Sequence, residues 1–186
     1  MGDRFNKLGE KHISFIEEQK IYFVGTAATE GFVNVSPKGM DSFRVLNENR
    51  VAWVNLTGSG NESAAHVLDN DRMTVMFCSF EKQPLILRLY GRAKVYHERD
   101  AEWSGLLELF PDYVSARQVF VVDIEMVQGS CGFAVPYYEY KEQRPTLQRW
   151  AENKGRDGVL EYQSNRNRIS LNGFDTGIFA DDSETD

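Results

Sequence analysis

Leu85-Ile-Leu-Arg-Leu-Tyr-Gly-Arg-Ala-Lys-Val-Tyr-His97 alternates along its whole length. Leu85, Leu87, Leu89, Gly91, Ala93 and Val95 share one face, and Ile86, Arg88, Tyr90, Arg92 and Lys94 share the other. Side chains of a strand point to opposite sides in turn, so the stretch predicts a long strand carrying a cationic ribbon. Just upstream, Arg72-Met-Thr-Val-Met-Phe-Cys-Ser79 is apolar through its middle, the pattern of a strand covered on both faces. Working outward, Ile21 to Thr26 and Phe32 to Pro37 are β-rich runs parted by the turn signal Glu30-Gly31. Val45-Leu46 and Arg50 to Leu56 flank the turn Asn47-Glu48-Asn49, and Gln118 to Val127 adds a further strand. Helical spacing of Leu8, His12, Phe15 and Ile16 predicts a helix over Asn6 to Glu18. Shorter helices are expected at Glu62 to Leu68, at Asp100 to Leu109 before Pro111, and at Pro145 to Lys154, stopped by Gly155. About six or seven strands at hairpin spacing, with short helices, argue for a mostly antiparallel barrel or sandwich. A doubly wound nucleotide fold is disfavoured, because no Gly-x-Gly-x-x-Gly joins a strand to a helix.

The chain has 186 residues with 41% hydrophobic and 26% charged side chains, ordinary globular usage. That length favours one domain able to bury roughly 70% of its unfolded surface. A net charge of −7 disfavours nucleic acid and anionic membrane as partners, and any anionic ligand needs a local cationic pocket. Cys78 and Cys131 form no Cys-x-x-Cys pair, no stretch is apolar enough to span a bilayer, and the first residues lack a signal sequence. The expectation is a cytoplasmic protein with no membrane partner. Asp181 to Asp186 is an acidic stretch expected to be disordered.

Two regions could bind an anion. In Asn55-Leu-Thr57-Gly-Ser59-Gly-Asn61-Glu62-Ser63 a strand ends, glycines permit tight turns and a helix begins. Free backbone N–H groups and the positive helix end favour an anion there, with the hydroxyls of Thr57, Ser59 and Ser63 as further donors. The same stretch also reads as an ordinary capped helix, since Ser59 and Glu62 have capping-box spacing. In Val33-Asn34-Val35-Ser36-Pro37-Lys38 alternation gathers Asn34, Ser36 and Lys38 on one face, either a solvated surface or an anion platform. The ribbon of Arg88, Arg92 and Lys94 has the same two readings. His12, His66 and His97 lie on separate elements without metal spacing, and no Gly-x-Ser-x-Gly marks a hydrolase. Cys131 lies in a glycine-flanked stretch expected to be a reactive loop, whereas Cys78 reads as packing. Trp53, Trp103 and Trp150 read as core or interface anchors.

Asn34-Val-Ser-Pro-Lys-Gly39, Leu56-Thr-Gly-Ser-Gly-Asn-Glu-Ser63, Met73 to Phe80 and Ile86-Leu-Arg-Leu-Tyr-Gly91, in this order, resemble the pyridoxamine 5′-phosphate oxidase-related family of FMN-binding split barrels. The resemblance covers about Phe15 to Val127, and Ser130-Cys-Gly-Phe-Ala-Val-Pro136 is similar to one branch of that family. It implies a six-stranded antiparallel Greek-key split β-barrel in a single domain, with a core at about 15–127, a C-terminal extension at 128–180 and the tail at 181–186. It also implies a homodimer with FMN at the interface and a small-molecule redox substrate. The cofactor-binding set that follows is Asn34, Ser36, Lys38, Asn55, Thr57, Ser59, Asn61, Glu62, Ser63 and Arg88.

The chain departs from the family at two points. The Ser-Arg-Lys-Ala phosphate clamp falls on Asn61-Glu62-Ser63-Ala64, so both cations are missing, at about 1.5–3 kcal/mol for each charge-assisted contact. No counterpart of the vitamin B6 pocket follows Pro136. These readings lead to an FMN-dependent oxidoreductase of unassigned substrate. The alternatives are a non-catalytic barrel for flavin, deazaflavin or haem, and an interaction barrel without cofactor.

Overall fold

A computed structural model describes residues 2–81 and 83–179. The elements are β1 (Arg4–Phe5), α1 (Glu10–Glu18), β2 (Tyr22–Thr26), β3 (Asn34–Lys38), β4 (Phe43–Asn47), β5 (Arg50–Leu56), α2 (Glu62–Asp69), β6 (Arg72–Cys78), β7 (Leu85–Tyr96), α3 (Trp103–Leu107), β8 (Ala116–Cys131) and α4 (Thr146–Arg166). All ladders are antiparallel. The strands run β3-β2-β6-β7-β8-β5-β4, with β1 pairing β8.

The mostly antiparallel β character with short helices is as the sequence implies, but the strand count and closure differ. Eight strands form one open sheet in place of a six-stranded barrel, seven of them along a single path, and among the described residues no ladder joins β3 to β4. Laid flat, the ends of a seven-strand path would stand about 29 Å apart at ~4.8 Å per strand. Yet β3 and β4 are consecutive in the chain, and the five Cα steps from Lys38 to Phe43 span at most about 18 Å. The sheet therefore has to curl. Side chains take the place of the missing ladder across the split. The Tyr22 hydroxyl and Ser42 Oγ are 2.9 Å apart, and the rings of Tyr22 and Phe43 lie 5.0 Å apart.

The interior follows the alternation. Leu87, Leu89, Ala93 and Val95 of β7 are buried with Val24, Val75, Phe77 and Val122, and Trp53 stacks on Phe120 at 4.4 Å. Gly91 sits at a register shift of the β7–β8 ladder, where a Cβ would run into the Asp123 carbonyl. A second cluster packs Trp103 and Phe110 against Val54 and Val119.

Several boundaries are corrected. β8 extends through Cys131, which pairs with Leu85, so that thiol ends a strand and does not lie in a loop. The predicted helix over Asn6 to Glu18 begins only at Glu10. Gly155 does not stop α4. It adopts φ +68°, kinks the chain, and a second helical stretch continues to Arg166. The segment 181–186 lies outside the described residues. Among the described residues, no helix is long and apolar enough to cross a membrane.

Candidate anion and cofactor site

The polar face of β3 points inward. Asn34, Ser36 and Lys38 are half-buried, while Phe32, Val33 and Val35 are 70%, 72% and 64% exposed. This inverts the usual arrangement of a half-buried strand. The inner face borders a cavity of about 300 Å³ walled by β3, by the end of β5, and by the loop leading into α2. Eight of the ten predicted residues line it: Asn34, Ser36, Lys38, Asn55, Ser59, Asn61, Glu62 and Ser63.

Hydrogen bonds fix these walls. Ser36 Oγ donates to Asn34 Oδ1 at 3.1 Å, and Asn34 Nδ2 donates to Ser63 Oγ at 3.2 Å. Lys38 Nζ donates to Asn55 Oδ1 at 3.3 Å and stands 5.0 Å from the centre of the Trp53 ring. The buried Asn55 amide donates in turn to Gln118 Oε1 at 3.1 Å and Asn61 Oδ1 at 3.4 Å.

Two predicted residues lie elsewhere. Thr57 is buried behind the loop, where its Oγ1 donates to the Ser115 carbonyl and accepts from Gln163 Nε2, both at 2.8 Å. Arg88 lies on the opposite face of β7 from the core and donates to Ser130 Oγ at 3.0 Å, away from the cavity. The capping box expected from Ser59 and Glu62 does not form. Asn61 is the N-cap and makes no side-chain cap bond. Both Glu62 carboxylate oxygens accept the Leu171 N–H at 3.0 Å instead, tying the C-terminal segment to the loop.

The residue that the sequence reading missed is Arg117 on β8. It lines the cavity, is 7% exposed, and donates from Nη1 to Asn167 Oδ1 at 2.7 Å, while its buried Nε has no partner. The strand was expected to begin at Gln118, two residues after its actual start at Ala116, which left Arg117 out. A guanidinium at the head of an apolar run was the available signal. Gln163 and Asn167, which brace the site from behind, had none, because they lie where the periodicity weakens.

Burial sets the electrostatics. Lys38 is pushed down to about 8, mainly by desolvation and further by the neighbouring Arg117 charge. Burial also pushes the Arg117 guanidinium down, with the charges of Tyr162 and Glu62 opposing it. A larger cleft of about 1440 Å³ meets the small cavity at Pro37 and Lys38, with Phe80, Tyr138, Tyr140 and Trp150 on its walls. Among the described residues, no cluster of three or more His, Cys, Asp or Glu side chains is placed to hold a metal.

An inward polar strand, a loop opening a helix and a curled, mostly antiparallel sheet define an open-sheet β class with a polar cavity at its split. The family model described as pyridoxamine 5′-phosphate oxidase matches residues 8–131. The pyridoxamine 5′-phosphate oxidase family protein ustO of Aspergillus flavus is 39% identical over 174 residues, covering 84% of this chain and 70% of that protein. The chain belongs to the pyridoxamine 5′-phosphate oxidase family. Two solved structures share its fold. HupZ of group A Streptococcus superposes with a TM-score of 0.52 at 16% identity, covering 64% of this chain and 91% of that one. A putative pyridoxamine 5′-phosphate oxidase of Lactobacillus delbrueckii gives 0.51 at 23% identity, covering 66% and 94%.

Proposed function

We propose that the chain is an FMN-binding oxidoreductase that works as a homodimer in the cytoplasm on a small organic substrate other than pyridoxamine phosphate. The observation that carries this reading is the cavity itself. Lys38 and Arg117 face it, each bonded only to a neutral side-chain amide. Neither cation makes an ion pair; the one carboxylate lining the cavity, Glu62, accepts from Leu171 and leaves an excess of positive charge that a phosphate would balance.

The residues present fit the group by position. Lys38 and Arg117 would hold the phosphate, Asn34, Ser36, Ser59 and Ser63 would offer hydroxyl and amide contacts, and the adjoining aromatic cleft would receive the ring and the substrate. Bound FMN supplies the redox chemistry, while the protein supplies position, charge and exclusion of water. The exposed apolar outer face of β3 supports association with a second copy. The two unpaired cysteines fit a reducing compartment. A deazaflavin would use the same cations. Haem is less well served, because no His, Cys or Met is among the described residues lining the small cavity.

The test is the visible absorption spectrum of purified protein after incubation with FMN and desalting. A retained flavin spectrum is expected, and a colourless protein overturns the reading. Reduction of the bound flavin by a nicotinamide donor faster than that of free FMN separates an enzyme from a binding protein.

A further inference from the structure

We propose that Lys38 and Arg117 form a relocated phosphate site, and that the C-terminal segment from Gln163 to Thr176 builds it by holding Arg117 and the loop before α2. The ligand class is a phosphate monoester. Its assignment to FMN rests on the function proposed above, but the anion site stands on its own geometry.

Three observations converge. First, the loop before α2 cannot supply the cations, because Thr57 to Ser63 contains no Lys or Arg and its one charged side chain is Glu62. Second, two cations from other elements face the same cavity. Arg117 is nearly fully buried with an unpartnered Nε, and the nearest carboxylate in the wall, Glu62, already directs both oxygens at Leu171. A dianionic phosphate matches two positive charges, and guanidinium binds such oxygens in a fixed fork.

Third, the C-terminal segment lies outside the family-matching residues yet makes the contacts that set the site. Asn167 is fully buried. Its Oδ1 accepts from Arg117, its Nδ2 donates to the Gly58 carbonyl at 3.0 Å, and its own carbonyl accepts from Thr176 Oγ1 at 2.6 Å and from Asn61 Nδ2 at 3.5 Å. Gln163 braces Thr57 from behind. Asn167 is thus a positioning residue. As a neutral amide it orients the guanidinium without cancelling its charge.

The experiment compares FMN with riboflavin, which lacks the phosphate, by fluorescence titration of the full chain. Melting curves with and without inorganic phosphate accompany it. Arg117→Gln is expected to weaken FMN about 10- to 100-fold, the value of one charge-assisted contact, and to leave riboflavin unchanged. Asn167→Asp keeps an acceptor beside Arg117 and adds a cancelling charge, at the loss of the bond to the Gly58 carbonyl. Asn167→Ala, which loses that bond without adding a charge, is the control. Asn167→Asp is expected to lose most of the preference for FMN over riboflavin and Asn167→Ala to keep more of it, a difference that a purely structural role would not cause. Arg117→Lys is the fallback if Arg117→Gln does not fold, with an intermediate loss. If phosphate raises the melting temperature of the wild type but not of Asn167→Asp, and neither flavin binds, the site stands and the flavin assignment falls. The proposal is overturned if Arg117→Gln or Arg117→Lys, together with Asn167→Asp, keeps the wild-type FMN-to-riboflavin ratio. It is equally overturned if neither phosphate nor FMN acts on the wild type.

Discussion

The chain carries two sets of cations on strands, and the structure treats them in opposite ways. Arg88, Arg92 and Lys94 form the ribbon of β7. Arg92 pairs with Asp71 and Glu125 at half-exposed positions, Lys94 lies 4.5 Å from the Tyr96 ring centre, and Arg88 bonds Ser130. Each has a partner, and water is close to Arg92. Lys38 and Arg117 come from strands that are distant in sequence, face one cavity, and bond only to neutral amides. The ribbon is far more conspicuous in the sequence, yet the second set has the unmet charge that a ligand would satisfy. Period-two alternation tells which residues share a face. It does not tell which face is inside, and β3 shows this by turning Val35 out and Lys38 in.

Mutations sharpen that contrast. The largest effect is expected beneath Lys38. Trp53→Ala removes a fully buried ring stacked on Phe120 and should cost about 3–5 kcal/mol in chemical denaturation. Thr57→Val comes next, since it orphans the Gln163 amide and removes one donor to the Ser115 carbonyl. About 2–4 kcal/mol is expected at ~1–3 per unsatisfied group. On the ribbon strand, Gly91→Ala forces a methyl against the Asp123 carbonyl at the bulge, for about 1–3 kcal/mol. An unchanged Gly91→Ala melt would mean that the bulge relaxes freely.

The next effect appears only with pH. Lys38 has a folded value of about 8 against 10.5 for an unperturbed lysine. Between those values the unfolded chain binds the extra proton, so stability of the ligand-free protein should rise with pH across that window, and Lys38→Met should remove the rise. Arg117 and Glu62 also line the cavity; the Arg117 charge lowers Lys38 further, while the Glu62 carboxylate acts on Arg117. FMN affinity should fall as pH climbs above about 8, since binding needs the charged lysine, and Lys38→Arg should flatten the decline. The smallest effect belongs to the ribbon. Arg92→Ala breaks two exposed ion pairs and should leave the melting temperature within replicate scatter. A clear loss would break the contrast between the two cation sets.

Much of the fold was readable because strands that bury one face must alternate. The β7 pattern placed Leu87, Leu89, Ala93 and Val95 on one face, and that face is buried. The loop of Thr57 to Asn61 was legible through its glycines, and β3 through its polar alternation. The end of α4 was not legible. Gly155 resembles a stop, yet a glycine can kink the backbone at φ +68° and let a helix resume when the following turns pack. Cys131 was misplaced because glycines suggest a loop, whereas pairing with Leu85 extends the strand.

The sequence by itself determined the antiparallel strands, which of their residues share a face, and a helix-opening loop that carries no cation. These are local properties, set by side-chain period and backbone freedom. Only the tertiary structure decided which cations share a cavity, because that depends on proximity between residues far apart in the chain. The curl of the sheet brings β3, β5 and β8 around one cavity. The C-terminal segment then returns to set Asn167 against Arg117, 50 residues away in sequence.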